Sequence, residues 1–288
     1  MNQIAALRLP SSFAMTELRL RTVDAFTDRP FTGNPAAVVV LDEAPPDDWM
    51  AALAQEMNLS ETAFVIRAAL PDADFRLRWF TPTMEVDLCG HATLASAHCL
   101  LEDGVTSPIR FATRSGVLTV TRQPDGSLVM DFPAAPAIQV DAVPGMAEAL
   151  GTRVEWTGRS RGGVDFLVAL LADEMTVREL SPDLAGVASL DASGVIVTAA
   201  ADPGRAYAFV SRVFAPRAGI PEDPVTGSSH AVLAPFWAAR LGRTSLLGMQ
   251  VSSRSGLVGV DLRGDRVAIS GRAVTVLDGV VRSKPNPT

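Results

Sequence analysis

Cysteine and histidine are scarce in this sequence, whose 288 residues include 2 cysteines and 3 histidines. Cys89 and Cys99 are too far apart to form a CxxC redox or metal motif, and isolated thiols of this kind are typical of reduced cytoplasmic proteins. A structural zinc site takes four ligands, mostly cysteine and histidine, so this composition argues against one. We therefore expect a cytoplasmic protein without a metal site.

Positive charge and long apolar runs are also missing. Lysine and arginine total 25 against 32 acidic residues, which leaves a net charge of −7. Binding to nucleic acid or to an anionic membrane surface needs clustered basic side chains, so this balance argues against both partners. No apolar run approaches the roughly 20 residues of a membrane-spanning helix. Residues 1–14 also lack the apolar core of a signal peptide.

The sequence contains one unit twice, about half a chain apart. Each copy reads as the end of a strand, a short acidic loop, and a glycine followed by a helix of small residues. The two copies cover residues 80–93 and 214–231. A duplication of this kind predicts two similar domains that face each other across a cleft.

Each half is predicted to contain many short strands and one central helix. Alternation and turn residues predict strands at 18–26, 36–41, 62–67, 74–80, 109–113, 117–122 and 128–131, then at 166–171, 194–198, 206–214, 257–262, 267–270 and 273–277. Helices are predicted to open at Pro45, to follow His91 and Gly227, and to cover residues 175–190. Pro235 is expected to kink or interrupt the last helix.

The proline-rich run Pro133–Pro136 is the predicted linker between the halves. It divides the chain into an N-terminal domain at residues 17–132 and a C-terminal domain at 133–283. A flexible extension at 1–16 and a tail at 284–288 complete this prediction. In each domain, a sheet wrapped around the central helix would bury the apolar faces of both.

Gly90 and Gly227 stand at the two predicted central helix starts. Glycine lets another group approach the backbone closely, and the free N–H groups of a first helical turn favour an anion. Two such ends pointed at one cleft would hold a small carboxylate or an enolate-like charge. An ordinary glycine at a helix start is the structural alternative, and the duplication argues against it.

Four polar side chains are candidates for the chemistry. Glu61 lies at a helix–strand junction among apolar neighbours, where burial would raise the pKa of its carboxyl toward that of a proton carrier. A solvated loop acid is the alternative for this residue. His91 could contact a substrate or only cap its helix, while Asp223 and Ser228 could be turn or cap residues alone.

The second half lacks a counterpart of Glu61. Aligning residues 64–66 with 195–197 places Ala192 opposite it. One base in an asymmetric cleft suits suprafacial proton transfer, in which the same group removes a proton and returns it to another carbon. A cysteine-pair racemase is not expected, because Cys99 lies about 15 Å beyond Cys89 along one helix and no thiol stands near Gly227.

Five runs of residues, distributed over both halves, carry a family resemblance. In order they are Val23–Phe26 to Gly33–Pro35, Ser60–Thr62, Phe80–Pro82, Cys89–Thr93 and Glu222–Ser228. They closely resemble the PhzF (phenazine biosynthesis-like) family of the diaminopimelate epimerase-like superfamily, over nearly the whole chain from about Leu18. The resemblance implies an α+β fold of two pseudo-symmetric domains, each a β-barrel-like antiparallel or mixed sheet around a central helix. It also implies a homodimer.

The same resemblance implies an activity. Characterised family members isomerise trans-2,3-dihydro-3-hydroxyanthranilate without a metal or organic cofactor, moving a proton from C3 to C1 of the ring. By this likeness Glu61 is the catalytic glutamate, acting first as base and then as acid. The other residues that the likeness places at the site are catalytic His91, Asp223 and Ser228, and substrate-binding Ser60, Gly90, Thr226 and Gly227.

The sequence thus predicts a cofactor-independent isomerase that shifts a proton on a small, cyclic, carboxylated substrate. Two alternatives remain open: an epimerase or racemase acting next to a carboxylate, and a non-catalytic protein that binds a small ligand. The shared motifs contain the proton-transfer groups and not the contacts to the ring, so they do not define the substrate.

Overall fold

A computed structural model describes residues 18–68 and 70–283. The predicted extension at 1–16 and tail at 284–288 lie outside these residues. Within them the helices are α1 (Asp47–Met57), α2 (Gly90–Glu102), α3 (Met146–Leu150), α4 (Glu174–Glu179), α5 (Leu184–Ser189) and α6 (Gly227–Leu241). None of the helices in this part of the chain has both the length and the apolar character needed to cross a bilayer.

The strands outnumber the helices and all belong to one hydrogen-bonded sheet. In the first half they are β1 (Leu18–Ala25), β2 (Asn34–Leu41), β3 (Glu61–Arg67), β4 (Phe75–Phe80), β5 (Glu85–Val86), β6 (Ile109–Thr113), β7 (Gly116–Arg122) and β8 (Leu128–Pro133). In the second half they are β9 (Ala137–Gln139), β10 (Trp156–Ser160), β11 (Phe166–Leu170), β12 (Gly194–Ala200), β13 (Phe209–Ala215), β14 (Ile220–Asp223), β15 (Ser245–Gln250), β16 (Gly256–Arg263), β17 (Arg266–Gly271) and β18 (Ala273–Val281).

The strand pairings repeat in the two halves. The first half runs β18-β1-β2-β3-β4-β6-β7-β8, and β8 pairs with β17 to continue as β17-β16-β15-β13-β12-β11-β10-β9. The parallel pair β2–β3 of the first half corresponds to the parallel pair β11–β12 of the second. The strands that flank the long helix are also parallel in both halves, β4 with β6 and β13 with β15. The predicted α+β fold of two pseudo-symmetric, mixed-sheet halves is confirmed.

The last strand, β18, belongs to the second half of the chain but to the sheet of the first half. β18 pairs along β1, with Leu18 opposite Val281 and Ala25 opposite Ala273. In the second half the corresponding position beside β10 is taken by the short β9, which follows the Pro133–Pro136 run directly. The C-terminal strand therefore completes the first half, so two strand pairings, β1–β18 and β8–β17, cross the domain boundary that the sequence predicts at residue 132.

The long helices α2 and α6 form the centre of the two halves. Both are made mainly of small and apolar residues and are buried on most of their surface, as expected for helices enclosed by a sheet. One large apolar cluster runs through both halves and includes Leu94, Phe111, Val225 and Trp237. The two halves are therefore packed as one unit, and the N-terminal ends of α2 and α6 are held in fixed relation to each other.

Pro235 lies inside α6 without interrupting it, because a tertiary contact replaces the missing hydrogen bond. Proline has no N–H, so the carbonyl of Ala231 has no partner within the helix. That carbonyl accepts instead from the N–H of Ala135, at 3.1 Å. Ala135 belongs to the Pro133–Pro136 run, so the segment between the halves compensates for the proline.

The helix predicted over residues 175–190 is wrong as one element. The structure has two short helices, α4 and α5, and Pro182 lies between them. Each short helix has its own capping residue: Asp173 accepts from the N–H of Thr176 at 2.7 Å, and Asp183 accepts from Ala185 at 3.0 Å. Two aspartate caps and a proline therefore outweigh the helical spacing of the apolar residues.

Candidate active site

The ends of four elements from both halves meet at one place. Glu61 is the first residue of β3 and pairs with Ala36 of β2. His91 is the second residue of α2, Asp223 is the last residue of β14, and Thr226 is the N-cap of α6. The start of β3, the end of β14 and the starts of the two central helices thus carry these side chains to the junction of the halves.

The N-terminal ends of α2 and α6 are in contact. A Cβ atom added to Gly90 would lie 3.6 Å from the Cα of Gly227, and one added to Gly227 would lie 3.6 Å from the Cα of Gly90. Neither N-cap residue, Cys89 or Thr226, caps its helix with a side-chain hydrogen bond. Two uncapped helix ends therefore place their partial positive charges side by side, an arrangement that favours an anion.

Glu61 is a buried carboxyl, with 9% of its surface exposed. Burial raises its pKa from 4.5 to about 8, and the negative charge of Asp223 adds to the rise. A hydrogen bond with the Cys89 thiol opposes it. A carboxyl with this pKa can both take and give a proton near neutral pH, as general acid–base chemistry requires.

His91 lies directly beside Glu61, with its Nε2 3.2 Å from the glutamate Oε2. The two groups are not oriented as a hydrogen bond, and neither atom has a hydrogen-bond partner within residues 18–68 and 70–283. Burial lowers the pKa of His91 to about 3, so the ring is neutral at neutral pH. A neutral imidazole and a protonated carboxyl both remain available to a ligand.

Asp223 reaches the same place from the second half. Its Oδ1 accepts from Asn34 Nδ2 at 2.7 Å, and its Oδ2 accepts from Thr226 Oγ1 at 2.6 Å. Burial raises the pKa of Asp223, and these two hydrogen bonds oppose the rise. Asp223 thus holds one side of the site in place through its hydrogen bonds, and its negative charge raises the Glu61 pKa by disfavouring ionised Glu61.

Ser60 and Ser228 lie next to the site along the chain. Ser60 precedes Glu61, Ser228 follows Gly227, and both are half-buried. In the part of the chain that the structure describes, neither hydroxyl makes a hydrogen bond with another residue. The structure thus brings together Glu61, Gly90, His91, Asp223, Thr226 and Gly227, while the predicted roles of all eight residues stay predictions.

Two residues of this cluster, Asn34 and Gln250, were not among the predicted site residues. Both are fully buried and bond to Asp223. Asn34 had a sequence signal, since an asparagine between Gly33 and Pro35 at the start of a strand is a polar residue at an element end. Gln250, the last residue of β15, had none, because its partners lie more than twenty positions away.

The acidic loops before the two glycines share a supporting ion pair. Arg78 binds Glu85 through two contacts of 2.7 Å, and Arg212 binds Glu222 at 2.7 and 2.9 Å. Each arginine also lies over the phenylalanine two positions later, at 5.2 and 5.0 Å. The two loops are therefore equivalent. In the second, the ion pair between Arg212 and Glu222 holds together the β13–β14 hairpin that carries Asp223.

This equivalence corrects the alignment of the repeat. Arg78 pairs with the third residue after Glu61, and Arg212 pairs with the third residue after Gly194. Gly194 is therefore the counterpart of Glu61, and the alignment with Ala192 is wrong by two positions. A Cβ atom on Gly194 would lie 2.9 Å from the Phe214 carbonyl oxygen, so no side chain fits there. The second half therefore has no carboxyl at the position equivalent to Glu61.

Three side chains at the site carry atoms that can bind a metal ion. The ligand atoms of Glu61, Cys89 and His91 all lie within 4.8 Å of one another. Such a set is compatible with a tetrahedral ion that has an open position. The expectation that the protein works without a metal therefore stays a prediction.

Repeated halves that bring two helix ends together define an epimerase-like α+β fold. A crystal structure of a hydroxyproline epimerase from Agrobacterium vitis shares it, with a TM-score of 0.61, 15% identity and 92% of each chain covered. Residues 23–279 match the sequence model of the family described as phenazine biosynthesis-like protein. The chain belongs to this family, named PhzF among its solved structures.

The relatives that it resembles cover almost the same length. An uncharacterized isomerase of Pseudomonas aeruginosa is 48% identical over 267 residues, which span 92% of this chain and 99% of the relative. The crystal structure of a phenazine biosynthesis protein of the PhzF family from Enterococcus faecalis has a TM-score of 0.85 and 40% identity, covering 92% and 99% of the two chains. A human phenazine biosynthesis-like domain-containing protein is 40% identical over 286 residues, 92% of this chain and 99% of its own.

Proposed function

We propose that this protein moves a proton between two carbons of a small, cyclic, carboxylated substrate, with Glu61 as base and then acid. Its family membership and its relatives named isomerases make it an enzyme of the isomerase type. The substrate we propose is trans-2,3-dihydro-3-hydroxyanthranilate or a similar ring. The observation that carries the proposal is the buried Glu61 carboxyl, whose pKa is raised to about 8.

The proposed reaction is redox-neutral. Ionised Glu61 takes the proton from C3 of the ring, and the electrons of that C–H bond move into the ring as its double bonds shift. The glutamic acid so formed then returns the proton at C1. One group suffices for both steps if the two carbons present the same face, which agrees with the glycine, Gly194, at the position equivalent to Glu61.

The surrounding groups suit a carboxylated ring whose charge changes during the reaction. The adjoining ends of α2 and α6 offer N–H groups to the substrate carboxylate. His91 Nε2, 3.2 Å from the Glu61 carboxyl, lies where it can contact a substrate oxygen. The Ser60 and Ser228 hydroxyls, free of hydrogen bonds to other described residues, complete the proposed contacts.

An epimerase acting next to a carboxylate is the second candidate, and the shared fold is what favours it. Such an enzyme usually needs two groups on opposite faces of one carbon. In the repeat, Gly194 is the residue equivalent to Glu61, and Thr226 is the residue equivalent to Cys89. The second half therefore offers neither a matching acid nor a matching thiol at these positions. This asymmetry supports the one-base isomerase.

Turnover of substrate labelled with deuterium at C3 tests the proposal. We expect the ring to be isomerised with part of the deuterium at C1, because the buried carboxyl exchanges slowly with solvent. Glu61→Gln should fold and be inactive, whereas Glu56→Gln, on the exposed face of α1, should behave as the parent. Retained turnover by Glu61→Gln would contradict the assignment of the base.

The same assay separates the alternatives. Solvent deuterium entering a stereocentre without movement of a double bond would indicate an epimerase. A ligand that binds but never exchanges a proton would indicate a non-catalytic member. Absence of turnover with this ring, together with Glu61-dependent proton exchange in another carboxylated ring, would retain the chemistry and replace the substrate.

A further inference from the structure

Two buried amides control where the protons of this site lie. We propose that Asn34 and Gln250 are positioning residues that hold His91 as the tautomer with its proton on Nε2 and hold Asp223 as a carboxylate. Among these three groups, Glu61 is then the one that is free to exchange a proton with a substrate. The catalytic meaning of this arrangement rests on the proposed function, but the arrangement itself does not.

The orientation of the Asn34 amide is set by a backbone carbonyl. Its Nδ2 lies 2.8 Å from the oxygen of Val225, which can only accept a hydrogen bond. Its Oδ1 has no partner among the described residues, so the contacts of Nδ2 alone decide the orientation. The same Nδ2 lies 2.7 Å from Asp223 Oδ1 and 3.2 Å from His91 Nδ1. An amide nitrogen cannot accept, so all three atoms present lone pairs to it and share its two N–H groups, with His91 Nδ1 at the longest distance.

The tautomer of His91 follows from this contact. A neutral imidazole carries one proton, and a lone pair on Nδ1 leaves that proton on Nε2. The Nε2–H then points to the side where Glu61 Oε2 lies at 3.2 Å. His91 is therefore set as a donor toward the reacting side of the site.

Gln250 determines the protons around Asp223 in the same way. Its Oε1 accepts from the Thr226 N–H at 2.9 Å, and its Nε2 donates to the Asp223 carbonyl at 2.7 Å, so two backbone groups fix its orientation. Nε2 also donates to Thr226 Oγ1 at 3.2 Å. That hydroxyl accepts from Gln250 and donates its own proton to Asp223 Oδ2. Both Asp223 oxygens accept, which holds the group as a carboxylate.

A second buried histidine provides an internal reference. His230 Nδ1 lies 2.8 Å from the carbonyl oxygen of Thr226, so this nitrogen must donate. His230 therefore has its proton on Nδ1, the opposite tautomer from His91. Since the chain contains only three histidines, the ring nitrogens of all of them can be resolved in one sample.

The test is a nitrogen NMR spectrum of the full-length protein labelled with ¹⁵N-histidine. We expect an unprotonated Nδ1 and a protonated Nε2 for His91, and the reverse for His230. His98→Gln and His91→Gln assign the signals, because each removes the signals of one ring. If the spectrum of the parent protein shows His91 with its proton on Nδ1, or with both nitrogens protonated at neutral pH, the proposal is overturned and no variant is needed.

Paired variants then separate the two amides. Asn34→Leu should release the His91 tautomer, so that both ring nitrogens give averaged signals, and should lower kcat by about 10²-fold. Gln250→Leu should lower kcat through Asp223 while the His91 signals keep the parental pattern. An unchanged His91 tautomer in folded Asn34→Leu would contradict the role of Asn34. If that variant does not fold, the parental spectrum decides.

The spectrum and the rate distinguish two kinds of failure. The expected tautomers in a protein that does not turn over the proposed ring would retain the proton arrangement and overturn the proposed function. Turnover dependent on Glu61 with the wrong His91 tautomer would retain the isomerase and overturn the role of the amides.

Discussion

Glu61→Gln should make the protein more stable at alkaline pH while abolishing its activity. The folded protein raises the pKa of this carboxyl from 4.5 to about 8 through burial and the charge of Asp223. Between these two pH values the folded state holds a proton on Glu61 that the unfolded state has released. The stabilising effect of the neutral carboxyl is therefore complete below pH 4.5 and is lost as the pH rises through about 8.

The size of the effect follows from that shift. One pKa unit corresponds to about 1.4 kcal/mol, so a rise from 4.5 to about 8 amounts to about 5 kcal/mol at most above pH 8. Relaxation of the site and entry of water reduce this figure. Glutamine has nearly the same shape and cannot ionise, so the variant lacks this loss and should have a flatter dependence of stability on pH.

Urea unfolding of the parent and of Glu61→Gln, measured from pH 5 to pH 9, checks this expectation. Glu56→Gln, an exposed change on α1, is the matched control and should follow the parent at every pH. The difference in unfolding free energy between Glu61→Gln and the parent should grow with pH. Parallel curves would show that Glu61 ionises at no cost, and its use as a proton carrier with a raised pKa would be refuted.

Four other outcomes are expected. The kcat/KM of the parent should rise with pH through about 8, because Glu61 must lose its proton to act as base; a flat profile over pH 6–9 would oppose this. Arg212→Met should cost about 3 kcal/mol in urea unfolding by leaving Glu222 without its partner, whereas Arg263→Met, at an exposed pair, should cost less than about 1 kcal/mol. Removal of metal by a chelator should leave turnover unchanged; loss that zinc restores would mean that the ligand set including Cys89 holds an ion. Light scattering should give about twice the 30.4 kDa chain mass, and a monomer would contradict the expected homodimer.

Much of the fold could be predicted because its signals are local. The strand at Ile109–Thr113 has the predicted limits, and the helices after Gly90 and Gly227 begin where the glycine motifs place them. Alternation, turn residues and helix starts are properties of neighbouring residues, so a single sequence contains them. The short strands Glu85–Val86 and Ile220–Asp223 escaped prediction because two to four residues give no periodicity.

The errors have equally specific causes. Residues 175–190 have helical spacing, but two aspartate caps and Pro182 divide them into two helices. Pro235 was expected to kink or break its helix, and the helix stays continuous because Ala135 supplies a donor from another part of the chain. In each case a hydrogen bond decides the outcome, and the spacing of apolar residues along the chain contains no information about it.

The sequence by itself determined that the chain repeats one unit and that Glu61 has no counterpart carboxylate in the second half. These follow from order and spacing along the chain, whereas the epimerase-like class of the fold was implied by the resemblance of its motifs to the PhzF family. Only the tertiary structure decided that Gly194 stands opposite Glu61, that the last strand completes the first half, and that Asn34 joins His91 to Asp223. Asn34 and Asp223 are 189 positions apart, and a hydrogen bond between them exists only because the folded core brings β2 and β14 together. Burial in that core also sets the pKa of Glu61, since exclusion from water depends on what surrounds the carboxyl and not on its neighbours in the chain.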